Sequence, residues 1–236
     1  MTVHIRRRLT PALTKNLLLG IEDRLHAGAL KAFEVVRDHC GLKDKRRARG
    51  GEGQLRFRML EEAFEDACLE QGWTLLEGGI IPRTDLKVFQ PFLRREIDGQ
   101  GIILGLAAMP EPGTLPSKNK SRSAAVNLNY YLTPRLDLDD HGPKIGDLFA
   151  LLLFSRDRAR GGRIEEIAVG VIDAEYDSYL FYEPLDKFLK AGKDETPEAH
   201  GLPPSNAAES GVKLRDRVIP FVPPEAAGPD EDTGTK

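Results

Sequence analysis

Hydrophobic and polar positions follow a helical period in the first third of the chain. Leu13, Leu17, Leu18 and Ile21 recur at helical spacing after Thr10-Pro11, a pair typical of a helix start, and a second apolar run covers residues 29–36. The clearest amphipathic pattern covers residues 55–71 and ends at Gly72; its apolar stripe consists of Leu60, Ala63, Phe64, Ala67 and Cys68. The pattern therefore predicts two helical runs before residue 41 and a longer helix over residues 55–71.

From residue 73 onward the pattern becomes that of β-strands. Residues 73–76, 86–92, 148–154, 163–172 and 178–182 are rich in strand-forming side chains. Residues 101–109 are almost wholly apolar, as in a central strand buried on both faces, and Asp98-Gly99 before them is a strong hairpin-turn signal. Helices are expected over residues 121–132 and 184–189. This order predicts an α/β (α+β) fold: a mixed central β-sheet flanked by helices, with an antiparallel meander in the C-terminal half.

Composition divides the chain into three parts. Residues 1–42 form a helical N-terminal segment, residues 43–190 an α/β core, and residues 191–236 a tail rich in Pro, Gly, Glu, Ala and Asp, expected to be disordered or loosely docked. The core opens with KDKRRARGGEGQ, residues 43–54. This stretch is interpreted as a solvated linker or as a loop whose backbone N–H groups bind an anion.

Charge and cysteine content narrow the function classes. The 236 residues carry a net charge of −3, so no overall basic excess draws the protein onto nucleic acid, and any anion-binding surface must be local. The two cysteines form no disulfide framework, the five histidines lack zinc spacing, and no G-x-S-x-G motif is present. No signal peptide and no apolar run near the length of about 20 residues needed for a membrane helix is found. We therefore expect a cytoplasmic protein without membrane contact.

The hairpin around Gly99 is the best candidate for chemistry. If its strands continue antiparallel, Asp85 and Glu111 come to lie side by side at one end of the sheet, next to the basic loop of Lys118, Lys120 and Arg122. Two carboxylates together with substrate phosphate are a common site for Mg²⁺ or Mn²⁺, and a nearby lysine stabilises charge on the phosphate. A structural role fits the same residues: Asp85 capping a turn, Glu111 in a solvated Pro-rich loop, and a solvated helix start after Lys118.

This order of elements over residues 53–122 resembles the core of PD-(D/E)xK nucleases, in which a helix glutamate precedes a strand with Asp, then a strand with Glu-x-Lys and a helix. The resemblance implies Thr84-Asp85 for the first acid and Glu111 for the second, with Glu61, Glu62 or Glu52 as the helix glutamate. Gly113 stands where the motif lysine belongs, so that lysine would be Lys118 or Lys120. A second placement uses Asp85-Leu86-Lys87, with Glu77 as the first acid.

The resemblance implies a metal-dependent nuclease or nuclease-like protein acting on DNA. Its catalytic residues would be Asp85, Glu111, Lys118, Lys120 and Glu61, and Asp85 and Glu111 would hold Mg²⁺ or Mn²⁺. Contacts to the nucleic-acid backbone are expected from Arg47, Arg49, Arg122, Arg158 and Arg160. The alternative is a non-catalytic interaction module, an accessory subunit of a bacterial assembly that binds a protein partner or a second copy of itself.

Overall fold

The computed structural model describes residues 2–76, 90–132 and 146–191, together with residues 81, 84, 85 and 87. The helices are α1 (Thr2–Leu9), α2 (Lys15–Asp38), α3 (Lys45–Glu70), α4 (Lys120–Val126), followed directly by a 3₁₀ helix (Asn127–Leu132), and α5 (Leu185–Ala191). The strands are β1 (Thr74–Leu75), β2 (Phe92–Ile97), β3 (Gln100–Met109), β4 (Leu148–Arg156), β5 (Ile164–Ile172) and β6 (Tyr179–Pro184). By internal contacts the chain divides into Met1–Thr196 and Pro197–Lys236, and every described residue lies in the first unit.

The six strands form one mixed sheet, which confirms the predicted fold class. They lie in the order β1-β2-β3-β4-β5-β6, with β3 and β4 parallel and all other neighbours antiparallel. The predicted turn between β2 and β3 is confirmed at Asp98 and Gly99, whose φ angles of 51° and 73° are those a tight hairpin turn requires. The predicted antiparallel meander is β4-β5-β6.

Both faces of the sheet are covered, which explains why the central strands are apolar throughout. On β4, Leu152 and Phe154 pack into one core with α1, α2 and α3, whereas Leu151 and Leu153 pack into a second core under α4 and the 3₁₀ helix. The buried Asn129 ties the 3₁₀ helix to the sheet: its amide donates to the carbonyl oxygens of Phe149 and Ile172 and accepts from the Phe149 N–H, each at 2.9 Å. The result is a three-layer α/β/α arrangement.

Helix α2 is a single helix of 24 residues where the sequence predicted two runs. It begins after Thr14, whose side chain accepts the Leu17 N–H at 3.3 Å, and not at Thr10-Pro11. Gly28 does not interrupt it, because this glycine faces α3: a Cβ there would lie 3.2 Å from Leu60 Cδ2. The small residue allows the two helices to pack closely.

The prediction of a linker or loop over residues 43–54 is wrong, because helix α3 begins at Lys45 and includes most of that stretch. Asp44 caps the helix by accepting the Arg47 N–H at 2.7 Å. Glu52 and Arg56 then form a buried ion pair one turn apart, at 2.6 Å. The cap and the buried ion pair thus stabilise the first part of α3, although it is rich in charged residues and glycine.

The boundaries of the other elements differ less from those predicted. The predicted strand over residues 73–76 is β1, and the expected helix over residues 121–132 forms as α4 with a 3₁₀ second half. Of the strand predicted over residues 86–92, positions 86, 88 and 89 lie outside the described residues, and the regular strand β2 begins at Phe92. The predicted disordered tail, apart from residue 191, also lies outside them.

Candidate functional site

The carboxyl ends of the parallel strands β3 and β4 meet at one edge of the sheet. In open α/β sheets, such ends are where ligands bind. Two loops leave the sheet here: residues 110–119 after β3, and residues 157–163 between β4 and β5. Glu111 in the first loop and Arg158 in the second form an exposed ion pair at 3.1 Å.

Helices α2 and α3 bring a second set of residues to this edge. Glu52 of α3 lies 3.7 Å from Arg156 at the end of β4. Phe33 of α2 packs on the β4–β5 loop, where a Cβ on Gly162 would lie 2.9 Å from its Cβ. The start of α3 and the β4–β5 loop therefore lie at the same end of the molecule, which we call the basic end and define as residues 43–49 and 156–163.

The basic end carries nine cationic residues and two carboxylates. Arg160 pairs with Asp157 at 2.5 Å, and this ion pair lowers the pKa of that carboxyl. Within the described ranges, the other exposed cations make no ion pair; they are Lys43, Lys45, Arg46, Arg47, Arg49 and Arg163. Arg47 and Arg49, predicted to contact nucleic acid, thus lie at the same end as Arg158 and Arg160, more than a hundred residues away in sequence.

A buried charge network connects the two halves of the basic end. Glu52 lies between Arg56 and Arg156, and the side chains of Glu52 and Arg56 are only 6% and 5% exposed. Burial lowers the pKa of the Arg56 guanidinium; the Glu52 carboxylate opposes this effect and the charge of Arg156 adds to it. One carboxylate faces two guanidinium groups, so the network carries a surplus positive charge.

A cavity of ≈ 330 Å³ opens beside this network, between the end of α2 and the start of α3. Its apolar wall consists of Phe33, Val36, Leu42 and Ala48. Its cationic rim consists of Arg37, Lys43, Lys45 and Arg49, with Glu52 at its base. The cavity is therefore both apolar and strongly cationic.

The predicted catalytic residues after β3 are spread over the length of the sheet. The loop over residues 110–119 crosses one face, where the Gly113 N–H donates to the Tyr182 hydroxyl at 2.8 Å and the Tyr179 hydroxyl donates to the Thr114 carbonyl at 2.9 Å. Lys118 then donates to the Glu175 carbonyl at 3.2 Å, in the β5–β6 turn. Glu111 and Lys118 therefore lie toward opposite ends of the nine-residue strand β5.

The basic residues that follow Lys118 differ in exposure. Lys120 is exposed at the first position of α4. Arg122 is only 8% exposed, and its Nε has no hydrogen-bond partner among the described residues. Burial lowers the pKa of the Arg122 guanidinium, which lies close enough to Tyr176 for the two groups to interact electrostatically. Lys120 and Arg122 belong to the end of the sheet opposite the basic end.

The two remaining predicted acids are Asp85 and Glu61. Asp85 is exposed, and the described β2–β3 pairing stops at Phe92 and Gly105, short of any pairing between Asp85 and Glu111. Glu61 is buried on α3 and pairs with Arg58 at 2.8 Å; burial raises its pKa, and Arg58 and Gln90 oppose the rise. In the part of the chain that the structure describes, no three His, Cys, Asp or Glu side chains are grouped so as to hold a metal ion.

The buried network and the cavity were not predicted from the sequence. The spacing of Glu52 and Arg56 was visible as a helical ion pair, but the assignment of residues 43–54 to a loop concealed it. Arg156 gave no signal, because its role depends on where β4 ends relative to α3. Among the described residues, no helix has the length and apolar character needed to cross a membrane.

Comparisons with protein-family models, with curated proteins and with solved structures find no match for this chain. The fold and the site together define the chain as a three-layer α/β protein with a cationic, partly apolar site at the carboxyl ends of its parallel strands.

Proposed function

We propose that this protein binds the phosphate backbone of nucleic acid at the basic end. The observation that carries the proposal is that residues 43–49 and 156–163 lie at the same end of the molecule, which places nine cationic residues there in a chain whose net charge is −3. Arginine and lysine on neighbouring elements are the usual contacts to phosphate oxygens. Binding is further supported by the six exposed cations that make no ion pair within the described ranges.

Such binding has a quantitative signature. Each phosphate neutralised by a lysine or arginine releases condensed counterions, so affinity falls steeply with salt. If six of the exposed cations contact phosphates, the association constant falls by about 10³-fold between about 50 and about 200 mM salt. A specific protein contact of similar area lacks so steep a dependence.

The test measures fluorescence anisotropy of a labelled DNA duplex with the wild type and with Arg46→Glu/Arg47→Glu. The double variant is expected to bind at least about tenfold more weakly and with a shallower salt dependence. Both changes lie in the first turn of α3, where acidic side chains favour the helix dipole, so the fold is retained.

The matched control is Arg7→Glu/Lys15→Glu, which changes the net charge by the same amount at exposed positions of α1 and α2, with Lys15 about 30 Å from the basic end. Equal weakening by both double variants would refute a localised site. Binding of anionic lipid vesicles with no binding of DNA would refute the choice of nucleic acid.

Phosphodiester hydrolysis with Mg²⁺ or Mn²⁺ stays a prediction, as does the assignment of DNA as substrate. Glu111 lies next to the basic end, which supports hydrolysis there. Among the described residues no three His, Cys, Asp or Glu side chains are grouped so as to hold a metal ion, and we derive no step through a metal. The same DNA incubated with Mg²⁺ or Mn²⁺ tests it: cleavage by the wild type that is lost in both Asp85→Ala and Glu111→Ala is the expected result. The absence of cleavage by a folded wild type that binds DNA contradicts it.

A further inference from the structure

The cavity beside the basic end has an apolar wall that phosphate contacts do not require. Val36 is buried, whereas Leu42 in the α2–α3 connection is 45% exposed at the cavity. Ala48 on α3 leaves the space between them open, because its side chain is a single methyl group. Four cations surround this wall, so its ligand combines an apolar surface with negative charge.

The charges that line the cavity favour one class of ligand. Glu52 at the base already faces Arg56 and Arg156, so its carboxylate is neutralised and does not attract a cation. Arg37 is held by Asp38 at 2.6 Å and lies over the Phe33 ring, which leaves Lys43, Lys45 and Arg49 as the free cations of the rim within the described ranges. These cations favour an anionic ligand, and three separate cations are suited to phosphates spaced along a strand.

We infer that the cavity takes one unpaired nucleotide of a single strand, with the base against Leu42 and Ala48 and the phosphates on the rim. This inference rests on the proposed binding of nucleic acid and adds its substrate class. A volume of ≈ 330 Å³ lies at the lower end of ligand-binding pockets, the size of one small ligand. In a duplex the faces of the bases are stacked and cannot enter it, whereas single-strand-binding proteins combine a cationic groove for the backbone with side chains, mainly aromatic, on which bases stack.

The test compares a labelled single strand of about 12 nucleotides with a duplex of the same sequence, using the wild type and Ala48→Phe. The phenylalanine fills the cavity and leaves every cation in place. The wild type is expected to prefer the single strand, and Ala48→Phe is expected to weaken single-strand binding about tenfold and duplex binding less than about twofold. Ala27→Phe is the matched control, because Ala27 is an exposed position of α2 that does not line the cavity.

A second variant keeps the test decisive if Ala48→Phe fails to fold. Leu42→Ala shortens an exposed side chain in the α2–α3 connection and is expected to weaken single-strand binding about fivefold, with duplex binding unchanged. Circular dichroism and thermal melting of each variant establish that the fold is intact.

The outcomes separate the two proposals. If the protein binds neither the single strand nor the duplex, the proposed function and this inference are both overturned. Equal, steeply salt-dependent binding of both forms, unaffected by Ala48→Phe, supports the proposed function and overturns the inference alone. Saturable binding of dodecyl phosphate that is lost in Ala48→Phe, without any single-strand preference in the wild type, also overturns it and assigns the cavity to an apolar anion of another kind.

Discussion

Substituting Glu52 by glutamine leaves the buried guanidinium of Arg56 without its counter-charge. The Arg56–Glu52 pair is 2.6 Å long, and both side chains are almost fully buried. Removal of one partner from a buried ion pair costs about 3–5 kcal/mol of stability, because the remaining charge stays buried and unpaired. The Arg156 side chain, 3.7 Å from Glu52 and 37% exposed, reaches solvent and adds little to that loss.

Helix α3 offers a matched comparison for this substitution. Glu70 pairs with Arg24 at 2.5 Å, but the two side chains are 59% and 38% exposed. Because exposed ion pairs contribute about 0–1 kcal/mol, Glu70→Gln is expected to have little effect. The two variants thus remove the same charge from the same helix at nearly the same pair distance and differ chiefly in burial.

Urea unfolding followed by circular dichroism measures both effects as shifts of the midpoint at constant slope. Replacing both partners, as Glu52→Leu/Arg56→Met, is expected to recover most of the loss, since an apolar pair removes the uncompensated charge. Equal losses for Glu52→Gln and Glu70→Gln would show that burial of the network contributes nothing and would refute the reasoning.

Three further predictions concern helix packing, thiol chemistry and pH. Gly28→Val is expected to cost about 1–3 kcal/mol more than Gly20→Val, measured by urea unfolding, because a Cβ at Gly28 meets α3 and one at Gly20 meets nothing within 4 Å; equal costs contradict it. Burial raises the pKa of the Cys68 thiol to about 12, so at pH 8 a disulfide reagent should modify the exposed Cys40 alone, and two thiols react only after unfolding. Burial would raise the pKa of Asp173, but hydrogen bonds within its turn prevail and lower it, so its stabilising effect is present above the unfolded pKa and is lost as the pH falls through the folded value. Asp173→Asn should therefore destabilise the protein more at pH 7 than at pH 3, measured by urea unfolding at both; the reverse order would contradict the sign.

The elements predicted best from the sequence are those whose signals are local. The Asp98-Gly99 turn and the apolar run of β3 each determine their own conformation, and the structure has both. The start of α3 was missed because three glycines and five cations are typical of a loop. The Asp44 cap and the buried ion pair of Glu52 with Arg56 outweigh that local preference. Burial of this pair depends on tertiary packing, so the local sequence does not reveal it.

The site could be predicted only in its chemistry, not in its place. Arg47, Arg49, Arg158 and Arg160 were predicted to contact phosphate, which stays a prediction, but that they lie at one end depends on the packing of α2 and α3 against the β4–β5 loop. The expected meeting of Glu111 with Lys118 assumed that the intervening loop is compact. Three tyrosines on β6 and the turn before it instead hold that loop across the face of the sheet, so that it ends at the β5–β6 turn.

The buried network also separates two explanations of binding at the basic end. Glu52→Gln removes a negative charge, so if the overall positive potential governed binding, the variant would bind DNA more tightly than the wild type. If instead Glu52 fixes the position of α3 against the end of β4, the loss of its pairs with Arg56 and Arg156 displaces the cations of α3 from those of the β4–β5 loop. Binding then weakens although the charge becomes more favourable. We expect the second result, measured by anisotropy at a temperature where circular dichroism shows the variant folded, and tighter binding would assign the affinity to charge alone.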